Sequence, residues 1–439
     1  DSRVKVSAQG LVANSNTDAT NSNLTLNIGT SNGIMLNGIT DADSNFGLVA
    51  GEIASTSLDG ITIHNGATYL DGTPDATGIS SGTALLAVEE GADINVGLIA
   101  GSFVQNSTVR ITTVDGIKFD GFPKSDNGSN FNLLSVTSGG AINVGAYFGQ
   151  VTKGNGALDL RINIYDINKI SYSSPSSPSS QSPYASINVT GGSESKLNLG
   201  GYFGFASGLD RLGIHNDEPI NTNITLFANS SNNSINSIYA GILAGSVTSS
   251  SMNSTNMQGS DIYGHLKIAS GVTVNTLNAG GLIGSMTASA TLSYSNANSV
   301  NFEVVAVSSA SDATGNYSSL KDLDRNKLSL NEGETVHSYG TVTSRVNVGN
   351  ANVGGLVGYL EGSAFTANGL SVNNQAMGIS TNTESTNGYS FRLNATDSVN
   401  TGSIAGYVGS SSTLRISGTV QTATYFDVFS TNTSDNSTN

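Results

Sequence analysis

Short stretches of this chain alternate apolar and polar residues with a period of two, the spacing of strands and not of helices. In Ile142-Asn143-Val144-Gly145-Ala146-Tyr147-Phe148-Gly149, alternation predicts Ile142, Val144, Ala146 and Phe148 on one face. Asn143, Gly145, Tyr147 and Gly149 then share the other. An apolar run and a Gly turn precede such segments, as in LLSVTSGGAINVG, ALLAVEEGADINVG and ASINVTGGSESKLNLG. A polar turn and a further strand follow them, as in QNSTVRITTVDGIKF, NGALDLRINIYDI and SSSTLRISGTV. Each unit thus predicts about three strands and almost no helix.

The segments form a countable repeat. Gly-x-x-x-Gly occurs at Gly47/Gly51, Gly97/Gly101, Gly145/Gly149, Gly200/Gly204, Gly241/Gly245, Gly280/Gly284, Gly354/Gly358 and Gly402/Gly406. Two residues before the first glycine stands Asn45, Asn95, Asn143, Asn198, Asn278, Asn352 or Asn400; only the fifth motif differs, with Tyr239. Successive first glycines are 50, 48, 55, 41, 39, 74 and 48 residues apart. The two longest steps contain insertions, a Pro/Ser stretch near 171–186 and a charged stretch near 318–340 in which KDLDRNKL could form a short helix. A period of roughly 40–50 residues means a solenoid or a propeller. The expected fold is all-β, an elongated β-solenoid resembling a right-handed β-helix and built from eight N-x-G-x-x-x-G repeats. An eight-bladed β-propeller is the alternative. The array is expected over 41–420, between an N-terminal strand segment (1–40) and a C-terminal strand with a polar tail (421–439). Glycine recurring at one strand position points to close approach of a neighbouring backbone, and stacked asparagines to a hydrogen-bonded ladder.

Composition narrows the function classes. Charged residues are 11% of the chain, against a usual ~25%, and hydrophobic residues are 37%, enough for a thin, long core. No apolar run approaches the ~18 residues that a membrane-spanning helix needs, so no membrane insertion by this segment is expected. The net charge is −15 with only 17 Lys and Arg, which argues against nucleic acid as a partner. The chain has no cysteine; thiolate chemistry and disulfides are excluded, and bacterial-type export is favoured.

The Gly-Gly-Leu-Ile/Val-Gly runs at Gly280–Gly284 and Gly354–Gly358 resemble the glycine-rich GLUG-type repeats of large secreted bacterial proteins. The strand, Gly turn and Ile-Asn-Val-Gly succession resembles the passengers of autotransporters and haemagglutinins, which are right-handed β-helices. The resemblance implies an extracellular or cell-surface protein with a structural or adhesive role, in some cases a self-associating subunit of a filament, sheath or layer. It transfers no functional residue. Its implied partners are other copies of the chain, cell-surface components, or host or surface glycans.

No catalytic, cofactor or metal residues emerge. The four histidines (His64, His215, His265, His337) do not pair at ligand spacing, and a solvated role is expected for each. A carbohydrate-active β-helix enzyme is the alternative function, and it would need carboxylates converging in a groove. The candidate pairs are Asp41/Asp43, Glu89/Glu90 and Asp217/Glu218, in turns, and Asp322/Asp324, in the charged insertion, and a solvated role is expected for all of them. Sequons such as Asn188, Asn232 and Asn394 are frequent, as the composition alone would give. At the ends, Ser2 to Leu11 and Ala423 to Phe429 both read as strands without a cap, free to pair with neighbouring copies.

Overall fold

The computed structural model describes residues 43–54, 84–105, 131–153, 185–209, 222–256, 261–295, 345–368 and 389–417. It also describes the strands Lys5–Ala8, Leu11–Asp18, Asn21–Ile28, Ile34–Asn37, Ile61–Asn65, Ile111–Val114, Lys118–Asp120, Asp159–Asn163, Arg211–His215, Ser299–Val307, Val372–Asn373, Val420–Gln421 and Thr424–Ser430. Every element among these residues is a strand. The Pro/Ser insertion up to residue 184, the charged insertion and its KDLDRNKL segment, and the tail after Ser430 lie outside the described residues.

One coil shows the plan. A lead strand (Thr222–Ser230) turns into a motif strand (Ser234–Gly241), both in the largest sheet. The chain then bends into Ala244–Thr248 of a second sheet and Ser251–Asn256 of a third. The three sheets hold 17, eight and seven strands. Each strand pairs in parallel with its counterpart one coil away, so Asn95, Asn143, Asn198, Tyr239, Asn278, Asn352 and Asn400 follow one another in register. The first glycines stay aligned the same way, from Gly97 to Gly402. This is a β-solenoid-like stack. Propeller blades are antiparallel meanders, so the parallel pairing between repeats is not theirs.

Three details of the sequence reading change. A repeat such as Thr222–Asn256 contributes four strands, because the Gly-x-x-x-Gly run is not one extended segment. It bends after its first glycine: Ile142–Gly145 ends in the first sheet, and Phe148–Lys153 begins the second. The bend breaks the period of two, and Tyr147, expected beside Asn143, is fully buried together with Ala146 and Phe148.

The second glycines are corrected by the same bend. Alternation put them on one strand face with the motif asparagine, but they lie past the corner, in a different sheet. Gly51 is in Ala50–Ala54, Gly101 in Ala100–Gln105, Gly204 in Phe203–Ser207 and Gly406 in Ala405–Val408, all strands of the second sheet. Gly149, Gly245, Gly284 and Gly358 occupy the same place in their own coils.

The N-terminal segment changes as well. Lys5–Ala8 pairs within the chain, antiparallel to Ile34–Asn37, and Leu11–Asp18 pairs antiparallel to Asn21–Ile28. Antiparallel strands laid on a parallel stack interrupt its template, as a cap does. At the other end, Thr424–Ser430 adds a parallel strand to Tyr389–Ala395.

The glycines are fixed by backbone proximity. A Cβ on Gly145 would lie 2.4 Å from the carbonyl oxygens of Phe148 and, in the next coil, Tyr202. One on Gly149 would lie 2.4 Å from the Val96 nitrogen of the preceding coil and 2.7 Å from the Asn143 oxygen. The first glycine thus admits the following coil and the second admits the preceding one. The other second glycines obey the same constraint. A Cβ would strike the Phe46 nitrogen at Gly101, the Val144 nitrogen at Gly204 and the Val353 nitrogen at Gly406. At Gly51, in the first motif, the obstacle is the Asn45 oxygen of its own coil, at 2.7 Å. Main-chain bonds seal the bend, with Leu98 N–H donating to the Ala146 oxygen and Ile99 N–H to the Tyr147 oxygen.

Between the glycines, volume is conserved across seven of the eight corners, the last (Ser403/Ala405) being small at both positions. Where the first intervening residue is large the third is alanine, as in Leu98/Ala100 and Ile242/Ala244. Where the first is small the third is large, as in Ala146/Phe148, Gly201/Phe203, Gly281/Ile283 and Gly355/Val357. Cores packed near crystal density tolerate volume-conserving exchange best. The large members also stack along the axis: Tyr147 on Tyr202 (centroids 5.6 Å apart) and Phe148 on Phe203 (6.2 Å). Phe148→Ala should therefore cost about 3–5 kcal/mol. Adding Ala146→Leu, which recreates the pattern of the second coil, should recover part of that loss in the urea midpoint. Failure of the second change to restore any stability would show that corner volume is not what the pair conserves.

Candidate functional site

Two constellations of polar side chains stand out on the outside of the coils. The first runs along the glycine corner. Because the chain bends there, the motif asparagines face an outer row of the second sheet that lies in register as Glu52, Ser102, Gln150, Phe205, Ser246, Ser285, Tyr359 and Tyr407. Asn45 Nδ2 reaches Glu52 Oε2 across the corner at 3.4 Å.

The asparagines form the ladder that the sequence suggests. Asn95 Nδ2 donates to Asn45 Oδ1 (2.8 Å), Asn143 to Asn95 (2.7 Å) and Asn198 to Asn143 (2.6 Å). Asn352 donates to Asn278 and Asn400 to Asn352, both at 2.8 Å. An amide carries both donors and an acceptor, so one residue type can continue the chain of bonds in both directions. Tyr239 divides the ladder. At the break, Asn198 is 4% exposed and its Oδ1 accepts no hydrogen bond. The phenol takes the position an amide would hold, with Lys196 Nζ 5.1 Å from its ring centroid. Ser246 and Ser285, small members of the outer row, lie in the coil of Tyr239 and the next one. Small side chains there leave room for a ring. Beyond them Tyr359 stacks on Tyr407 with centroids 5.0 Å apart. Burial, then the Glu361 carboxylate and the phenols of Tyr407 and Tyr239, push the Tyr359 hydroxyl above its ordinary range.

The second constellation lies on the outer face of three successive lead strands, Asp261–Ala269, Ser299–Val307 and the first half of Tyr389–Gly402. Leu266, Ile268, Phe302 and Val304 fill the interior, so the alternate residues His265, Lys267 and Glu303 point outward. They are nevertheless buried, at 5%, 7% and 4% exposure. His265 and Glu303 are register partners, and Nδ1 of the ring is 2.7 Å from the carboxylate. Burial alone would raise the Glu303 pKa. The charge and hydrogen bond of His265, with Lys267 and Arg392 nearby, more than offset it and hold the carboxyl below its usual range.

The expected solvated role is therefore wrong for His265. His64 and His215 lie at strand positions, and His337 is outside the described residues. Of the carboxylate pairs, Asp43 and Glu89 are exposed. Glu90 is a second departure, a strand residue 6% exposed whose Oε1 accepts from Gly91 N–H at 3.2 Å. Asp41, Asp217, Glu218, Asp322 and Asp324 lie outside the described residues. Among the sequons, Asn232 is exposed in a turn, whereas Asn394 is tied into the stack by donating to Asn347 at 3.0 Å. Among the described residues no group of three or more His, Asp and Glu could hold a metal ion. The ladder was legible in the motif spacing. The His265–Glu303 pair, 38 residues apart, was not, because only the register of the lead strands brings it together.

No family model matches this chain, and no match was found among curated proteins or solved structures.

The ladder's contribution can be measured at one rung. Asn143→Ala breaks two amide bonds and leaves Asn95 Oδ1 and Asn198 Nδ2 without partners. Since each buried group left unsatisfied costs about 1–3 kcal/mol, the urea midpoint should fall clearly. Asn400→Ala, at the exposed end rung, should change it by less than about 1 kcal/mol. Equal effects at both positions would show that stacking of the amides does not stabilise the coils.

Proposed function

We propose that this chain is a rod-like, right-handed β-solenoid that serves a structural or adhesive role outside the cell. The observation that carries the reading is the register itself. Seven successive motif strands, those ending at Gly97, Gly145, Gly200, Gly241, Gly280, Gly354 and Gly402, pair in parallel without a change of corner position. Coils stacked about 4.8 Å apart make a stiff body whose stability is a sum of nearest-neighbour terms. Such a body holds its surface rows at fixed spacing. Those rows are rich in Asn, Ser and Tyr and poor in charge, chemistry suited to many weak contacts with glycans or with other copies of the chain. The motif resemblance to secreted bacterial surface proteins points the same way. The −15 net charge disfavours adhesion to anionic membranes and nucleic acids.

The enzymatic alternative would require carboxylates converging in an open groove. The described cluster that comes nearest has one carboxylate, Glu303, and is buried. The adhesive reading is tested by placing the purified chain on cells and on an immobilised glycan panel. Retention that saturates and is competed by the free chain is the expected result. Retention on none of these surfaces, together with solely monomeric behaviour at high concentration, would overturn the reading.

A further inference from the structure

We propose that His265, Lys267, Glu303 and Arg392 form an acid-labile clasp that holds three neighbouring coils together and releases them locally when the pH falls. The inference is independent of the adhesive role and rests on where these side chains sit.

Outward positions of a single-layered coil ordinarily face solvent, where an ion pair contributes little. Here His265, Lys267 and Glu303 are buried and Arg392 half-buried, and their placement follows the strand pairing. Glu303 is on the middle strand, with His265 directly across on one side and Ser390 on the other. Lys267 stands two residues from His265 on the same strand face, in register with Val305, and Arg392 is two residues beyond Ser390. Among the described side chains, Glu303 is the carboxylate on which the three basic groups converge. Among the described residues, the other elements packed against the middle strand bring no further titratable group. Val346–Gly354 and Val372–Asn373 carry none, and the next lead strand outward offers Thr225 and Phe227 at the equivalent positions. Asp261 is in register with Ser299 at the far end of the strand, and Asp427 is in register with Arg392 on Thr424–Ser430.

The sign follows from the direction of the shift. Glu303 is held below its ordinary range, so its stabilisation is fully present above the unfolded carboxyl value of about 4.3. It is lost as the pH drops through the folded value. The lost charge is not replaced. Lysine and arginine side chains stay protonated throughout acid, so the cations that face Glu303 remain. The buried Lys267 and the half-buried Arg392 would then share a face with His265 but without their carboxylate, and breaking a buried pair in this way is costly. Because a stack of coils is held by nearest-neighbour contacts, the opening should stay local. It falls at a distinctive place: within the 74-residue step from Gly280 to Gly354, the longest between successive motifs.

Hydrogen exchange read by mass spectrometry tests this, with rates corrected for the intrinsic effect of pH. In the unmodified chain, peptides covering 261–269, 299–307 and 389–395 should exchange at least about tenfold faster below pH ~4 than at pH 7. Peptides covering 94–105 and 197–207 should not follow. Glu303→Gln should show the same local rise already at pH 7, and combining it with Lys267→Met should reduce that rise. If the three seam peptides track the rest of the solenoid down to pH 3, the clasp does not exist. The same conclusion holds if Glu303→Gln exchanges like the parent at pH 7. Should the variant fail to fold, the pH profile of the unmodified chain decides the matter alone.

Discussion

Everything in this fold depends on how closely the backbone of one coil can approach the next at the glycine corner. The first glycine of each motif ends one sheet and the second lies just inside the next, and neither position has room for a Cβ. At Gly280 the nearest atoms to such a carbon would be the Ile283 oxygen and the Gly358 nitrogen of the following coil, at 2.3 and 2.6 Å. At Gly284 they would be the Ala240 nitrogen and the Gly245 oxygen of the preceding one, at 2.4 and 2.5 Å. These are backbone atoms, tied into hydrogen bonds, and they cannot give way as a flexible side chain could. Glycine normally weakens a strand. Here it allows a sharp change of direction, and with it the passage from the first sheet to the second.

Once the corner is set, the other regularities follow. The bend directs all three residues between the glycines inward, so the corner must balance their volumes, which explains the reciprocal exchange of Leu98/Ala100 for Ala146/Phe148. It also turns the motif asparagines toward the outer row of the second sheet, and parallel register places each amide beside the amide of the next coil. The ladder is therefore a consequence of the corner and not an independent device. Its interruption at Tyr239 is local. The coils continue in register through that position, while the cost is confined to the unsatisfied Asn198 Oδ1.

How much of this could be read from the amino-acid order depends on range. The repeat, the alternation and the recurrence of asparagine two places before glycine are local features, and they led directly to parallel stacking and the amide ladder. The bend was not legible, because Ile142 to Gly149 alternates without a break. Only the neighbouring coil, which forbids a Cβ at Gly145 and Gly149, shows why the run cannot stay straight. For the same reason the second glycines, such as Gly101 and Gly204, were assigned to the wrong strand although their need for close backbone approach was foreseen. The volume exchange across the corner was present in seven of the eight motifs but has no meaning until all three residues are known to face inward. His265 and Glu303 were hidden for another reason. Each lies in an ordinary alternating strand at a position that pattern assigns to solvent, and their pairing depends on a register no local signal specifies. Ser2 to Leu11 was recognised as strand-forming, but Ile34–Asn37, the antiparallel partner of Lys5–Ala8, lies elsewhere in the chain.

These departures share a physical logic. A solenoid of identical coils would have equal strength along its length, since each interface would repeat the one before it. This chain is uneven. Stacked aromatics thicken the core at the Tyr147/Tyr202 and Phe148/Phe203 coils, and the amide ladder lapses at Tyr239. Farther along, a buried ionic cluster replaces the usual exposed outer face at Glu303. Apolar stacking changes little with pH, whereas a buried carboxylate among cations is sensitive to it. The unevenness therefore divides the stack into a stretch whose cohesion is indifferent to acid and a seam whose cohesion is not. That division arises from side chains at equivalent positions, without any change in the backbone plan.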